Sequence, residues 1–150
     1  MAPVHDDIAV LFREGHSKFS RFFARILTGE NLSLPQYALL NLLSGRKTLK
    51  MTEISRELSI TKPGVTNLVD RLEAGSYLRR IPHPRDRRVN LLEILPKGQR
   101  SVRNVQSQAL GLCLGAVRKL NEREAQSLLK FYGFLHESVD AALLKPRKAR

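Results

Sequence analysis

The chain has 150 residues, a length that suits one domain and leaves little room for a second. Its formal net charge of +12 favours a polyanionic partner, either a nucleic acid or an acidic membrane surface. No apolar run is long enough for a membrane span or a signal peptide, and the lone Cys113 excludes an intrachain disulfide framework, so a cytoplasmic protein is expected.

The positive charge is concentrated in the middle of the sequence and at its C-terminus. Residues 45–103 carry fourteen basic and six acidic side chains, whereas residues 1–44 and 104–144 each balance to zero. A basic tail at residues 145–150 adds the remaining excess. A membrane-surface helix would need an unbroken helical stretch, and four residues interrupt the basic region, namely Pro63, Gly75, Pro82 and Pro84. The charge therefore favours a nucleic acid, and no membrane partner is expected.

Two helices are predicted at the start of the chain. Apolar residues recur at helical spacing over residues 8–27, and Thr28 and Gly29 are expected to end this helix. Ser33 is predicted to cap the next helix together with Gln36, and the apolar run that follows predicts a buried helix.

A helix-turn-helix and a β-hairpin are predicted in the basic middle of the chain. Thr52 is expected to cap a short helix, and a tight turn follows at residues 59–61. The second helix is expected to be capped by Thr61 and to stop at Gly75. Residues 77–81 and 89–95 are rich in β-forming side chains and flank a segment of prolines and arginines. This pattern predicts a hairpin.

Two long helices are predicted after the hairpin, one starting at Pro96 and one capped by a box that begins at Asn121. With the first helix, they carry more apolar surface than one winged module can cover. The expected fold is mainly α with a small β-hairpin wing, as one domain over the whole chain. A winged helix-turn-helix at about residues 34–95 would join dimerisation helices at 4–28 and 96–144. A monomer whose long helices fold back is the alternative.

The second helix of the helix-turn-helix has two faces of different chemistry. Its apolar face would pack on the preceding short helix. On its polar face, the Asn67 amide can pair with adenine and the Thr66 methyl group can contact a thymine methyl, so a role in the major groove is expected. An ordinary solvated face is the alternative. The residues predicted to bind DNA on this helix are Lys62, Pro63, Gly64, Thr66, Asn67 and Arg71.

The predicted hairpin concentrates arginines on its first strand and at its proline-stiffened tip. A narrow minor groove with its negative potential stabilises guanidinium groups, so the tip is expected to enter such a groove while the strand contacts phosphates. Asp86 is expected to hold a neighbouring arginine. A hairpin that is merely soluble is the alternative. The arginines predicted to bind DNA are Arg79, Arg80, Arg85, Arg87 and Arg88.

Three local patterns resemble the MarR family of bacterial winged-helix transcription regulators. They are SITKPGVTNLVDRLE followed by GSYLRR at residues 59–80, HPRDRR at residues 83–88, and Lys97 with Gly98 at the opening of the long helix. The resemblance implies an obligate homodimer with intertwined terminal helices and a wing in which Asp86 braces Arg88 in the minor groove. Leu95 and Pro96 replace the Leu-Thr pair that usually caps the helix after the wing, so a shifted helix start is expected.

The expected function is that of a homodimeric repressor that binds a pseudo-palindromic operator in double-stranded DNA, with a small aromatic ligand as its effector. An architectural protein that binds duplex DNA with little sequence preference is the alternative. The family's effector cleft implies a ligand site formed by Phe19, Phe23 and Tyr37, with His16 or Arg46 as a polar partner. Aromatic residues at helical spacing are also typical of plain core.

No catalytic or metal site is predicted, and no cofactor is expected. The histidines form no pair at i, i+4 and have no cysteine at zinc-binding spacing. Cys113 lies on the apolar seam of a helix, where a buried, unreactive thiol is expected rather than a nucleophile. The chain is therefore not expected to be an enzyme.

Overall fold

The computed structural model describes residues 3–86 and 89–144, which form six helices and a three-stranded sheet. The helices are α1 (Pro3–Gly29), α2 (Leu34–Ser44), α3 (Met51–Glu57), α4 (Lys62–Ala74), α5 (Pro96–Val117) and α6 (Glu122–Leu144). The strands are β1 (Leu49–Lys50), β2 (Leu78–Pro82) and β3 (Asn90–Ile94). The predicted class, mainly α with a small wing, is confirmed. The predicted basic tail lies outside the described residues.

The sheet is antiparallel with strand order β1-β3-β2. The predicted hairpin is present as β2 and β3, in which Leu78 lies opposite Ile94. Strand β1 was not predicted, because two residues are too few to show an alternating pattern. Its Leu49 lies opposite Leu92, and both side chains are buried. This pairing fastens the chain before the helix-turn-helix to the base of the wing, which is the hairpin of β2, β3 and their connection.

Local hydrogen bonds define the helix starts that the sequence predicts. The Ser33 N–H donates to the Gln36 side chain at 2.8 Å, and the Gln36 N–H donates back to the Ser33 hydroxyl at 3.4 Å. Asn121 and Glu124 form the same reciprocal pair at the start of α6. Helix α5 begins at Pro96, where a missing N–H costs nothing.

The cap predicted at Thr52 is wrong. Helix α3 starts at Met51, and the residue before it, Lys50, donates its N–H to the Glu53 carboxylate at 2.6 Å. The helix starts early because Lys50 is still extended as the last residue of β1.

The turns before and after α4 adopt left-handed backbone at residues other than glycine. Ser59 has φ 53° in the turn between α3 and α4, and Ser76 has φ 59° between α4 and β2. The first turn is closed by the Ile60 N–H, which donates to the Ser55 carbonyl at 3.1 Å, and by the Ser55 hydroxyl, which donates to the Ile60 carbonyl at 2.7 Å. Gly75 ends α4 as predicted, with an ordinary φ of −81°.

The chain divides within α5 into two compact units, one up to Ala109 and one from Leu110 onward. The core of the first unit contains Leu39, Leu40 and Leu43 of α2, which confirms the predicted burial of this helix. Helices α3, α4 and the first half of α5 contribute six more core residues, and the face of α4 that was predicted to be apolar packs in this core. The fully buried residues of these helices are Ile54, Val65, Val69, Leu72, Val102 and Val105.

The second unit leaves its apolar residues uncovered. Helix α6 has no buried residue among those described, and Leu129 and Phe134 are each 67% exposed. Leu112 on α5 is 51% exposed, and its neighbour Cys113 is also exposed. The expectation of a buried Cys113 thiol is therefore wrong for the single chain, because the buried side of α5 ends before this residue. No helix in the described part of the chain is both long and apolar enough to cross a membrane.

Candidate nucleic-acid interface

The N-terminal end of α4 is shaped by Thr61, Pro63 and Gly64. The Thr61 hydroxyl accepts the Gly64 N–H at 3.3 Å, and Pro63 lies in the first turn, where it replaces no helical hydrogen bond. A Cβ atom on Gly64 would lie 2.7 Å from the Ile60 side chain. Gly64 was predicted among the DNA-binding residues. The structure adds an internal reason for glycine, since the helix start packs on the turn before it.

The polar face of α4 is exposed and firmly supported. Thr66 and Asn67 are exposed, while Val65 and Val69 on the opposite face are fully buried. The Thr66 hydroxyl donates to the Lys62 carbonyl at 3.1 Å, and within residues 3–86 and 89–144 the Asn67 amide forms no hydrogen bond. An amide with unused donors and acceptors on a rigid, exposed face is available to pair with a base edge.

Two basic side chains of α4 complete this face. Lys62 and Arg71 are exposed, and neither forms an ion pair within the described part of the chain. Long cationic side chains in such positions can reach phosphate oxygens without reading sequence.

The base of the wing tip is closed by backbone hydrogen bonds. The His83 N–H donates to the Val89 carbonyl, and the Val89 N–H donates to the Asp86 carbonyl, both at 3.0 Å. The Arg85 N–H donates to His83 Nδ1 at 3.2 Å, which gives His83 a local role in the turn. Arg85 and Asp86 are exposed, whereas Arg87 and Arg88 lie outside the described residues.

The arginines of β2 are paired with carboxylates of the same chain, which sequence reasoning missed. Arg79 lies opposite Glu93 in the hairpin, and its Nε donates to the Glu93 carboxylate at 2.6 Å. Arg80 instead reaches α4, where its Nη2 lies 2.5 Å from Asp70 Oδ1 and its Nη1 forms a close ion pair with Glu73. Partial burial alone would lower the pKa of Arg80, but the hydrogen bonds and charges of both carboxylates outweigh it and raise that pKa.

Tyr77 connects the end of α4 to α5 and to the turn that follows α1. Its hydroxyl donates to the Glu30 carbonyl at 3.1 Å, and the Lys97 ammonium lies 4.1 Å from its ring centroid. The same ammonium donates to the Gly75 carbonyl at 2.7 Å, which satisfies one of the free carbonyls at the end of α4. A Cβ atom on Gly98 would lie 2.3 Å from the Tyr77 carbonyl oxygen, so only glycine fits there. Lys97 and Gly98 thus pack the start of α5 against the residues that connect α4 to the wing.

The aromatic residues proposed as a ligand site form one cluster on α1 and α2. The Phe19 and Phe23 rings stack with centroids 6.1 Å apart, and Tyr37 meets Phe23 edge-on at 5.5 Å. Phe19 is exposed, Phe23 and Tyr37 are half-buried, and burial raises the pKa of Tyr37. The structure therefore brings these three rings together, with Phe23 and Tyr37 packed against the core of the first unit and Phe19 at the surface. His16 is exposed and has no side-chain hydrogen bond within the described residues.

The sequence has a family match and a relative of similar length. Residues 30–89 match the sequence profile of the MarR family. YfiV of Bacillus subtilis (strain 168), an uncharacterized HTH-type transcriptional regulator, is 23% identical over 112 residues, which cover 75% of this chain and 70% of that protein.

Solved structures share the fold. The YusO protein from Bacillus subtilis has a TM-score of 0.81 at 21% identity, with 89% of this chain and 95% of that chain covered. A mutant of S. aureus MepR bound to an oligodeoxyribonucleotide has a TM-score of 0.71 at 21% identity, with 88% and 97% covered. The segment with the helix-turn-helix and the first part of the wing therefore matches the MarR family model, and the chain shares its fold with solved structures that include a MarR family protein from Bacillus stearothermophilus.

Proposed function

We propose that this protein is a homodimeric repressor that binds a pseudo-palindromic operator in double-stranded DNA. The observation that carries the proposal is the polar face of α4, where exposed Thr66 and Asn67 are held by a fully buried opposite face beside a wing rich in arginine. The MepR mutant of the same fold, whose structure contains an oligodeoxyribonucleotide, supports duplex DNA as the partner.

In this proposal α4 occupies the major groove. Asn67 pairs with the N6 and N7 positions of an adenine, and the Thr66 methyl group contacts a thymine methyl. Lys62 and Arg71 bind phosphates and set the position of the helix. Pro63 and Gly64 keep the helix start compact where it approaches the sugar-phosphate backbone.

The wing enters the adjacent minor groove. Arg85, Arg87 and Arg88 supply the guanidinium groups, and Asp86 orients Arg88 within the tip. Arg79, whose side chain is 58% exposed beside Glu93, lies at the side of the hairpin and contacts a phosphate.

The homodimer is supported by the apolar residues that one chain leaves exposed on α1, α5 and α6. Large apolar side chains left exposed in this number are typical of an interface, and a second copy of the same helices would cover them. A twofold dimer would present its two α4 helices to half-sites about one helical turn, roughly 34 Å, apart. The most exposed of these residues are Leu11, Phe12, Leu110, Leu129, Phe134 and Leu143.

Release from DNA is assigned to a small aromatic ligand at the cluster of Phe19, Phe23 and Tyr37. Aromatic rings spaced 5.5 to 6.1 Å from their neighbours, exposed at Phe19 and half-buried at Phe23 and Tyr37, can stack with an aromatic guest. His16 would supply a polar contact at the edge. A ligand seated between α1 and α2 would act on DNA affinity by changing the separation of the two winged helices in the dimer.

The test is a binding titration with a duplex selected from the native genome and its scrambled version, at several salt concentrations. A sequence-specific regulator should prefer the selected duplex by roughly a thousandfold or more, with a steep loss of affinity as salt rises. Equal affinity for both duplexes would contradict the repressor and indicate an architectural protein instead.

Arg88→Ala tests the wing. We expect at least about a tenfold loss of operator affinity while the dimer persists in sedimentation, because one minor-groove guanidinium is removed. Arg123→Ala is the matched control, since Arg123 is an exposed arginine of α6 far along the chain from the wing. Wild-type affinity in Arg88→Ala would remove the wing from the binding mechanism.

A further inference from the structure

Asp70, Glu73 and Arg80 form one ionic cluster between α4 and β2. Asp70 and Glu73 are three residues apart on α4, so they lie on the same side of the helix. The Arg80 guanidinium bonds to both, and its backbone N–H also donates to Glu73 at 2.9 Å. The Arg80 side chain is only 26% exposed. We call this cluster the Arg80 bridge.

We propose that the Arg80 bridge fixes the angle between α4 and the wing, and that Arg80 is a positioning residue rather than a phosphate contact. The inference rests on the proposed function, because the angle matters only if α4 and the wing enter two grooves of one duplex. It replaces the sequence-based assignment of Arg80 to a phosphate.

The connectivity explains why a bridge is needed. Only Gly75, Ser76 and Tyr77 separate the end of α4 from the start of β2. Arg80 lies beyond that link, opposite Leu92 of β3, so a bond from Arg80 to α4 holds the hairpin as a whole. The two carboxylates bind different nitrogens of one guanidinium, and this forked geometry restrains orientation as well as distance.

The ion pair of Arg79 serves as a comparison for the Arg80 bridge within the same strand. Arg79 is the neighbouring residue on the same strand, and it is paired with Glu93 of the adjacent strand. Its ion pair therefore lies entirely within the hairpin and makes no link to α4. Loss of the Arg79–Glu93 pair should leave the angle between α4 and the wing unchanged.

The decisive experiment compares Glu73→Gln with Glu93→Gln. Both variants remove one negative charge, and simple electrostatics predicts tighter binding to a polyanion in both cases. We expect Glu93→Gln to bind the operator as well as wild type or better. Glu73→Gln should bind about fivefold more weakly, because it weakens the charge-assisted bonds to Arg80. Operator affinity in Glu73→Gln equal to or above that of wild type would overturn the proposal.

Two substitutions at Arg80 separate positioning from phosphate binding. Arg80→Lys keeps the positive charge but lacks the planar guanidinium that bonds to two carboxylates at once. We therefore expect a loss of operator affinity similar to that of Glu73→Gln. Arg80→Ala should weaken binding without changing the dependence of log affinity on log salt. A slope smaller by about 0.9 would mean that a phosphate contact had been lost, and it would refute the positioning role.

A measurement without DNA distinguishes failure of the bridge from failure of the proposed function. A double-mutant cycle of Glu73→Gln and Arg80→Lys on the urea unfolding midpoint should show that the two substitutions are not additive. Additive effects would show that the bridge is absent in solution. If the two substitutions are coupled but the wild-type protein binds no duplex, the proposed function fails. The role of the Arg80 bridge in placing α4 and the wing in two grooves then fails with it.

Discussion

Replacement of Gly98 by alanine tests how closely α5 approaches the wing. The added Cβ atom would lie 2.3 Å from the Tyr77 carbonyl oxygen and 2.9 Å from the Ile94 side chain. A carbon and a carbonyl oxygen normally stay roughly 3.3 Å apart, so the two backbones must separate by about 1 Å. The same oxygen accepts the Leu95 N–H at 2.9 Å, and that displacement would break the bond.

The expected cost combines overpacking with a lost buried hydrogen bond. Together they should lower the free energy of unfolding by about 2–4 kcal/mol. Gly45→Ala is the matched control, because it makes the same change where nothing lies within 4 Å and φ is −86°. It should stay within about 0.5 kcal/mol of wild type.

Urea unfolding followed by circular dichroism measures both variants, at one protein concentration because association shifts the midpoint. Equal stability of the Gly98 and Gly45 variants would refute the close approach of α5 to Tyr77.

The remaining predictions concern α4 and Tyr77. Asn67→Ala should relax the preference at one base pair of the operator by about 1–3 kcal/mol, and an unchanged binding profile across single-base operator variants would show that Asn67 does not read sequence. Tyr77→Phe should lower the free energy of unfolding by about 0.5–1.5 kcal/mol, because the hydroxyl that donates to the Glu30 carbonyl is lost. Urea unfolding measures this change, and a midpoint equal to that of wild type would mean that the bond contributes nothing.

Features that depend on neighbouring residues were predictable from the sequence. Ser33 caps α2, Thr61 caps α4 and Asn121 begins the box of α6, as their spacing indicates. The partners of these caps lie within three residues, so no knowledge of the rest of the fold is needed.

Features set by distant parts of the chain were not predictable. The start of α3 depends on Leu49 pairing with Leu92, which lies more than forty residues later. Arg80 was assigned to a phosphate because it belongs to a basic run, whereas its position in the hairpin brings it to Asp70 and Glu73. The local signal for this contact was the pair of negative charges at Asp70 and Glu73, which lie three residues apart on α4 and repel one another unless a cation lies nearby.

The environment of Cys113 shows a third limit of prediction from the sequence, which concerns burial between chains. A seam of apolar residues on a helix predicts that the seam is covered, but it does not say by which chain. Val102 and Val105 of the seam are covered by the core of the first unit, whereas Leu112 and Cys113 are exposed in the single chain. Burial at such positions is a property of an assembly and is not encoded in the intrachain pattern alone.

The left-handed serines on either side of α4 have a consequence for how DNA affinity could be regulated. A residue other than glycine pays about 1–2 kcal/mol for this backbone, yet Ser59 and Ser76 are less free than glycine to adopt other conformations. In the proposed function, in which α4 reads DNA, these two turns restrict the movement of α4, and the Arg80 bridge adds a further restraint beyond the second turn. An effector of the proposed repressor would then be expected to move each helix-turn-helix and wing together, and to act through the distance between half-sites rather than through a tilt of one helix.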